Sequence, residues 1–260
     1  MPLPRKRFGQ HFLQDQTVIQ QIITAFAPRM GDCLLEIGPG QGALTFPLLK
    51  QMKQLSVIEL DRDLIPMLQA RGTSLGELTI YQADALEFDY ARLRQDETLL
   101  RIIGNLPYNI STPLIFHLLD YTTIIADMLF MLQKEVAERL AAVSGGNHYG
   151  RLSVMVQYRC QVQRLFDVSP QAFYPPPKVQ SSIVHLVPYR ELPYRAKNEI
   201  LFSSLVKEAF GQRRKTLRNS LKHRIQGAMW AHLPVDPAMR AENVSVQDFV
   251  KLSNALSAIG

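Results

Sequence analysis

The chain has 260 residues, of which 47% are hydrophobic and 20% charged, with two cysteines and a formal net charge of +6. Two cysteines are too few for a disulfide framework, they lack metal-ligand spacing, and no apolar run reaches the roughly 18 residues of a membrane span. The length allows one large core, or a core with a small satellite domain. We therefore expect a cytoplasmic protein that is neither secreted nor embedded in a membrane.

The basic excess is confined to the last quarter of the chain. Residues 193–260 carry eleven Lys and Arg against five Asp and Glu, whereas residues 1–192 carry eighteen of each sign. A basic segment attached to a neutral domain favours a polyanionic partner, most simply a nucleic acid. The alternative is a solvated helical face that only keeps the protein in solution.

An amino-terminal arm precedes the first predicted helix. Residues 6–13 combine positive charge, aromatic side chains and a glycine, and we interpret them as a lid or latch ahead of a sheet. Either Asp15 or Thr17 can cap the helix that follows, because apolar side chains recur at helical spacing over residues 18–26.

A strand, a glycine-rich turn and a helix come next. The strand is predicted over residues 33–37, the turn is Gly38-Pro39-Gly40-Gln41-Gly42, and the helix covers residues 43–50. This succession opens a nucleotide-binding βαβ unit, and its glycines let a ligand approach the backbone closely. The G-x-G-x-G spacing differs from that of dinucleotide folds, and the carboxylate of Glu36 would repel phosphate. The pattern therefore favours a ligand with positive charge, such as S-adenosylmethionine.

Acidic side chains mark the ends of two further predicted strands. The second strand, residues 55–61, carries Glu59 about twenty residues beyond the glycine turn, where a carboxylate accepts ribose hydroxyls. The third, residues 78–86, carries Asp84, which is placed to accept the adenine amino group of the same ligand. A lone acidic residue at a strand end is usually only a turn residue. The glycine turn, Glu59 and Asp84 at three successive strand ends are a more specific indication of a ligand-binding site.

The stretch Gly104-Asn105-Leu106-Pro107-Tyr108 is where we place the chemistry. The apolar pair Ile102 and Ile103 leads into it as a buried strand leads into a rigid turn. Ligands sit outside the carboxyl ends of strands in open parallel sheets. Asn105 would present an amide oxygen there and Tyr108 an aromatic face, which suits a planar group with an exocyclic NH2. Taken alone, the stretch fits an ordinary strand-to-turn junction equally well.

The remaining elements of this domain alternate between helices and strands. Between the last two strands, the prolines of residues 173–178 hold a rigid loop that places Phe173 reproducibly, although a bare linker is the alternative. Helices are predicted over residues 111–118 and 133–142 and after residue 151, and strands over residues 128–131, 165–168 and 182–187, the last two antiparallel.

Residues 188–193 form the predicted domain boundary, beyond which only helices are predicted. A basic cluster, Arg213, Arg214, Lys215, Arg218 and Lys222, follows the first of them. Arg214 and Arg218 are i, i+4 neighbours, as are Arg218 and Lys222, so we expect them to line one helix face that meets a polyanion. The helices cover residues 196–210, 216–224 and 245–258, and Ser245 caps the last.

Seven stretches resemble the bacterial small-subunit ribosomal RNA adenine N6,N6-dimethyltransferase family, the kasugamycin-sensitivity type. The glycine turn is shared by many methyltransferases, whereas the Asn-Leu-Pro-Tyr motif together with the Phe-x-Pro-Pro-Pro-Lys loop is far more specific. The match runs nearly from end to end of the chain. The seven stretches are residues 7–13, 36–42, 105–108, 131–136, 149–153, 173–178 and 213–219.

This resemblance implies a fold, an activity and a partner. The fold is an α/β class I, Rossmann-like S-adenosylmethionine methyltransferase domain over residues 1–190, with a small all-helical domain over residues 191–260. The activity is methyl transfer from S-adenosylmethionine to the N6 amino groups of two adjacent adenosines in a 3′-terminal hairpin loop of 16S rRNA. The partner is the small ribosomal subunit or its precursor. The protein is expected to act as a monomer and to need no metal.

The resemblance also carries over roles for individual residues. Many relatives have Asn where this chain has His11. Asn105 and the Leu106 carbonyl would take the two amino hydrogens of the target and turn its lone pair toward the methyl donor, so that catalysis is mainly positioning. Tyr108 and Phe173 would sandwich the target base. Cofactor contacts fall to His11, Leu13, Gly38, Glu59, Asp84 and Asn105. The charge pattern, and not the resemblance, assigns RNA contacts to Arg213, Arg214, Lys215, Arg218 and Lys222.

Two alternatives come from different functional classes. One is the related large-subunit RNA methyltransferase that gives macrolide resistance, which also has an Asn-x-Pro-Tyr loop; the stretch at residues 210–215 favours the small-subunit enzyme. The other is an RNA-binding assembly factor without catalysis. The presence of Glu59, Asp84, Asn105 and Tyr108 argues against docking alone, although both roles can coexist.

Overall fold

The computed structural model describes residues 10–94, 97–212 and 214–259, and their packing forms two compact units. The first unit contains the described residues up to Ala137 together with Gln163–Pro188. The second contains Glu138–Val162 together with the described residues from Tyr189 onward. The division expected from the sequence, residues 1–190 and 191–260, did not include this transfer of residues 138–162 to the second unit.

Helices and strands alternate along the first part of the chain and give way to helices at its end. The elements up to the last strand are β1 (Phe12–Leu13), α1 (Gln16–Phe26), β2 (Cys33–Ile37), α2 (Thr45–Met52), β3 (Gln54–Glu59), α3 (Ile65–Gly72), β4 (Glu77–Gln82), β5 (Leu100–Asn105), α4 (Ser111–Leu119), β6 (Ile125–Gln133), α5 (Lys134–Ala141), α6 (Arg151–Arg159), β7 (Cys160–Val168), β8 (Phe173–Tyr174) and β9 (Ser181–Pro188). The later helices are α7 (Glu199–Phe210), α8 (Leu217–Ser220) and α9 (Val246–Ile259).

Within the described residues, a seven-stranded sheet has the strand order β4-β3-β2-β5-β6-β9-β7. The strands from β4 to β6 are parallel, and β9 runs antiparallel to β6. The central strand β6 is buried on both faces, which explains the continuous apolar run of residues 128–132. This confirms the predicted Rossmann-like α/β class. The order reverses between β2 and β5, the position at which such sheets bind ligands.

A second, two-stranded sheet joins the arm to the proline loop. Strands β1 and β8 are antiparallel, with Phe12 opposite Tyr174 and Leu13 opposite Phe173. Arm residues 6–9 lie outside the described part of the chain, so the latch predicted there can be described only from residue 10 onward.

Helix α1 forms as its sequence predicts. Asp15 is the residue that caps it, because its side chain accepts hydrogen bonds from the backbone N–H groups of Thr17, at 2.8 Å, and Val18, at 3.1 Å. The helix buries one face, formed by Ile19, Ile22, Ile23 and Phe26, in the core of the first unit. Because α1 is anchored in this way, the position of the residues at the end of the arm, directly before the helix, is fixed.

Arg101 fastens the end of α1 to the sheet. Its guanidinium donates hydrogen bonds to the Phe26 carbonyl, at 2.7 Å, to Asp32, at 2.6 Å, and to Asp127, at 2.8 and 2.9 Å. Burial acts to raise the pKa of Asp127, but the hydrogen bonds from Arg101 and His185 outweigh it and lower the pKa. The charges are therefore paired at the strand ends opposite to those that carry Glu59 and Asn105.

The second unit has a hydrophobic core of its own. Helix α7 contributes Phe202 and Val206 to that core, and α9 contributes Phe249 and Leu252. Ser245 caps α9 as predicted, because its hydroxyl accepts from the Asp248 N–H at 3.1 Å. In the described residues, no helix is long and apolar enough to cross a membrane.

The helix predicted over residues 216–224 is wrong beyond its first turn. Helix α8 covers only Leu217–Ser220, and Thr216 forms an antiparallel bridge with Arg240. The Leu217 N–H also donates to the Met239 carbonyl at 2.7 Å. These bonds to a distant segment fix an extended backbone ahead of α8, so the basic cluster does not share one helix face as its spacing predicted.

Candidate functional site

The parallel strands bring the predicted side chains to one edge of the sheet. Glu59 is the last residue of β3 and Asn105 the last of β5, while Gly38 follows β2 directly and Asp84 lies two residues beyond β4. A cleft forms at these strand ends. The sequence-predicted residues that line it are His11, Leu13, Gly38, Glu59, Asp84, Asn105, Leu106 and Tyr108.

The arm closes directly over the glycine turn. Gly40 has a φ of +54°, and a Cβ atom built on it would lie 3.1 Å from the ring of Phe12. Gly42 has a φ of +83°, and its Cβ would lie 2.2 Å from the ring of Phe46. Any side chain at these two positions would be strained and would displace an aromatic ring, so the turn requires glycine at both.

Glu59 is tied to the backbone around the cleft. Its Oε2 accepts a hydrogen bond from the Gly40 N–H at 3.2 Å, and its Oε1 accepts one from the Asp61 N–H at 2.7 Å. The side chain is buried, and burial raises its pKa in spite of these two bonds. Glu59 therefore holds the glycine turn in place as well as lining the cleft.

Glu36 lies deeper in the same wall and is 2% exposed. The hydroxyl of Thr45 donates to its Oε2 at 2.6 Å. Burial, together with a smaller effect of the nearby charge of Glu59, raises the pKa of Glu36 to about 8 in spite of that bond. Thr45 had no sequence signal of its own, because its role depends on where the turn places α2.

The cleft suits a cationic ligand and not a phosphate. Four acidic residues line it, namely Glu36, Glu59, Asp61 and Asp84, and the described lining contains no Lys or Arg. Buried carboxylates in such a wall favour a positive charge beside them. The residues present therefore fit S-adenosylmethionine, whose methionine portion carries an amino group and a sulfonium.

The Asn105 loop is held from three sides. The side-chain amide of Asn105 donates through Nδ2 to the main-chain carbonyl of His11 at 3.0 Å. The Leu106 N–H donates to the Met131 carbonyl at 3.2 Å, which continues the pairing of β5 with β6. The Tyr108 hydroxyl shares a hydrogen bond of 2.7 Å with the hydroxyl of Ser181. Ser181, like Thr45, was not recognised from the sequence.

Gly104 lets β5 lie close against the end of β2. A Cβ atom on Gly104 would be 2.6 Å from the carbonyl oxygen of Ile37, well inside van der Waals contact. The glycine in Gly-Asn-Leu-Pro-Tyr therefore sets how near Asn105 comes to the glycine turn. The sequence pattern marked this glycine only as the start of a turn.

Phe173 does not line the cleft. Its side chain is 5% exposed and packs in the core of the first unit, where Leu13 lies opposite it in the two-stranded sheet. In this conformation Phe173 has no exposed face for a base. The ring that stacks on Tyr108 is that of His11, with centroids 5.6 Å apart and planes inclined by 29°.

The basic cluster belongs to the second unit. Arg214, Lys215, Arg218 and Lys222 are exposed, whereas Arg213 lies outside the described residues. Residues 138–162 and 189–260, which make up this unit, contain fifteen Lys and Arg against seven Asp and Glu. The net positive charge of the second unit is therefore larger than that of residues 193–260 alone.

Comparison with known protein families identifies the chain. A family model described as ribosomal RNA adenine dimethylase matches residues 3–258. The chain belongs to this family. It is therefore a methyltransferase of ribosomal RNA, as the sequence predicted.

Two named relatives resemble the chain over nearly its whole length. The Ribosomal RNA small subunit methyltransferase A of Chromohalobacter salexigens is 56% identical, with 96% of this chain and 90% of that protein covered. The protein of the same name from Pseudomonas aeruginosa is 54% identical, with 98% and 95% covered.

Two solved structures show the same fold. A dimethyladenosine transferase from Plasmodium falciparum superposes with a TM-score of 0.77 at 29% identity, covering 93% of this chain and 96% of that one. The 23S rRNA methyltransferase ErmE superposes with a TM-score of 0.74 at 23% identity, covering 95% and 99%. The likeness to ErmE shows the fold alone, so it does not favour the large-subunit alternative.

Proposed function

We propose that this protein transfers methyl groups from S-adenosylmethionine to the N6 atoms of two adjacent adenosines in a 3′-terminal hairpin loop of 16S rRNA. The product is N6,N6-dimethyladenosine, formed during small-subunit biogenesis by a cytoplasmic monomer. Support comes from relatives that are named for the small subunit and are 54% to 56% identical over nearly the whole chain. The geometry of Asn105 carries the chemical part of the proposal.

The hydrogen bond between Asn105 and His11 sets the rotation of the Asn105 amide. Because the His11 carbonyl can only accept, the donor end of the amide, Nδ2, faces the arm at 3.0 Å. The acceptor end, Oδ1, is then the one available to the amino group of an adenine. The carbonyl of Leu106, the next residue, supplies a second acceptor for the same NH2.

These acceptors address the main chemical difficulty of the reaction. The N6 lone pair of adenine is delocalised into the ring, so the amine is a poor nucleophile. Acceptors at Asn105 and Leu106 would hold the two hydrogens and turn the lone pair out of conjugation. S-adenosylmethionine, when bound, supplies an electrophilic methyl group. Catalysis then consists mainly of positioning, and no strong base is required because the amine becomes acidic once methylated.

The target base must leave its stack before it reaches this loop. Extrusion costs a few kcal/mol, less for an unpaired base. Stacking on Tyr108 would return about 1–3 kcal/mol. Phe173 could form the second layer only after a change that exposes its ring, because the core now covers it. A base can be stacked on Tyr108 without that change.

Cofactor binding is assigned to the strand ends of the first unit. Glu59 would accept ribose hydroxyls, Asp84 would accept the adenine amino group, and Gly38 would lie against the methionine portion, with Leu13 in the wall of the cleft. The acidic lining supports this assignment, because it provides both hydroxyl acceptors and counter-charge. The resemblance alone gives His11 a cofactor contact, whereas its ring stacks on Tyr108 and bonds to the Pro175 carbonyl.

RNA binding is assigned to the second unit. Its exposed cations, Arg214, Lys215, Arg218 and Lys222, together with Arg213, would contact phosphates of the small-subunit RNA. Their number and the net positive charge of the unit support the assignment. They would hold the particle without taking part in the chemistry.

Nucleoside analysis of methylated particles tests the proposal. Purified protein is incubated with S-adenosylmethionine and small subunits from a strain that lacks the corresponding gene, and digested RNA is analysed by mass spectrometry. We expect N6,N6-dimethyladenosine in small-subunit RNA and none in large-subunit RNA treated in parallel. Product confined to large-subunit RNA would support the macrolide-resistance alternative. Particle binding without any product would support a purely structural assembly factor.

A further inference from the structure

We propose that the side chain of His11 is a positioning residue for the target-base pocket and not a contact of the cofactor. This inference rests on the proposed function, because it concerns the pocket in which the adenine is methylated. It differs from the role that the family resemblance gives to this position. Three contacts of His11 carry it.

The ring of His11 is fixed by the proline loop. Its Nδ1 lies 2.7 Å from the carbonyl oxygen of Pro175. A carbonyl oxygen can only accept, so Nδ1 carries the hydrogen of this bond. The bond joins the arm to the loop that follows β8, next to the pairing of β1 with β8. The ring is thus oriented by a segment more than 160 residues away in the sequence.

The oriented ring supports Tyr108. The two rings are stacked, with centroids 5.6 Å apart and planes at 29°, a separation within the range of offset stacking. At the other end of Tyr108, the hydroxyl is hydrogen-bonded to Ser181 at 2.7 Å. His11 and Ser181 therefore fix both the plane and the reach of the aromatic platform on which the base would stack.

The backbone of the same residue orients the other half of the pocket. The His11 carbonyl accepts the Nδ2–H of Asn105 at 3.0 Å. One residue of the arm thus sets the plane of Tyr108 through its ring and the rotation of Asn105 through its carbonyl. Replacing the side chain removes the first function and leaves the second, which makes the proposal testable by substitution.

Three variants separate the two properties of the ring. His11→Phe keeps an aromatic ring but loses the donor to Pro175, His11→Asn keeps a donor but loses the ring, and His11→Ala loses both. Single-turnover methylation of the RNA at saturating S-adenosylmethionine should slow by about 10- to 100-fold in His11→Ala, the scale of a small misplacement at a reacting centre. His11→Phe should retain more of the rate than His11→Ala does. His232→Ala, at an exposed histidine of the second unit, serves as the control.

The decisive readouts are cofactor affinity and coupling to Tyr108. Calorimetry should give wild-type affinity for S-adenosylmethionine in His11→Ala, and that substitution should cost little further rate in a Tyr108→Ala background. Weakened cofactor binding with an unchanged rate of methylation would overturn the proposal and show that His11 contacts the cofactor. Fully additive effects of His11→Ala and Tyr108→Ala on the rate would show that the His11 ring does not act through Tyr108, and would overturn the proposal as well. Failure of the wild-type protein to methylate the RNA would instead refute the proposed function.

Discussion

The hydroxyl of Thr45 donates a hydrogen bond of 2.6 Å to Oε2 of Glu36, inside the wall of the cleft. Burial of Glu36 nevertheless raises its pKa from 4.5 to about 8. Folding therefore favours the protonated acid. The stability that this group contributes is fully present below pH 4.5 and is lost as the pH rises through about 8.

Replacing Glu36 with glutamine should remove this pH dependence. We expect the free energy of unfolding of the wild type to fall relative to that of Glu36→Gln between pH 4.5 and 8, by up to about 1.4 kcal/mol per pH unit for one proton. Urea denaturation at several pH values measures the difference. Glu77→Gln, at an exposed residue of β4, should follow the wild type. Parallel curves for the wild type and Glu36→Gln would contradict the account of Glu36.

Replacing Glu59 with alanine should weaken the binding of S-adenosylmethionine. Hydrogen bonds to a charged group contribute about 1.5–3 kcal/mol each, so the dissociation constant should rise at least about tenfold. Calorimetry measures the affinity, and a melting curve shows whether the fold survives the loss of the bonds to Gly40 and Asp61. Glu77→Ala is the matched control. An unchanged dissociation constant in a folded Glu59→Ala protein would remove the ribose assignment.

Neutralising Arg214 and Arg218 together should weaken binding to the small subunit. Each phosphate contact adds about 0.7–0.9 to the slope of a log–log plot of affinity against salt, so the double variant to glutamine should flatten that slope. Affinity for S-adenosylmethionine should stay at the wild-type value, because the acidic cleft lies within the first unit. Arg62→Gln with Arg92→Gln, at two exposed arginines of the first unit, changes the net charge equally. If the binding curves of the double variant overlay those of the wild type across the salt series, the basic cluster does not contact RNA and only keeps the protein in solution.

The sheet and the cleft could be predicted because their signals are local. Runs of apolar residues end at Gly38, Glu59 and Asn105, and parallel pairing carries these ends to one edge whatever the details of packing. Asp84 was expected at the end of a strand over residues 78–86, but β4 ends at Gln82. Its place in the cleft survives this error because the residues after the strand continue along the same edge.

What the sequence could not provide depends on contacts between distant segments. The burial of Phe173 follows from its pairing with Leu13, and the short α8 follows from the bridge between Thr216 and Arg240. The stacking of His11 on Tyr108 joins the arm to a loop almost one hundred residues later. Local spacing at these positions contains no information about the partner, so helical periodicity and family resemblance were the available guides.

The central claim is that Asn105 orients the amino group that is methylated. Replacing Asn105 with alanine removes the amide, and Gln69→Ala, which removes an exposed amide from α3 outside the cleft, is the control. Both variants should bind small subunits with near wild-type affinity, because the basic cluster is intact. Any contact with S-adenosylmethionine that is lost with Asn105 is offset by measuring the rate at a saturating concentration of the cofactor.

Single-turnover methylation of small subunits, with both substrates saturating, tests this claim most directly. The account predicts that Asn105→Ala forms N6-methylated adenosine at least about 100-fold more slowly than the wild type, the scale of a lost positioning contact, while Gln69→Ala keeps the wild-type rate. Methylation by Asn105→Ala at the wild-type rate would contradict it.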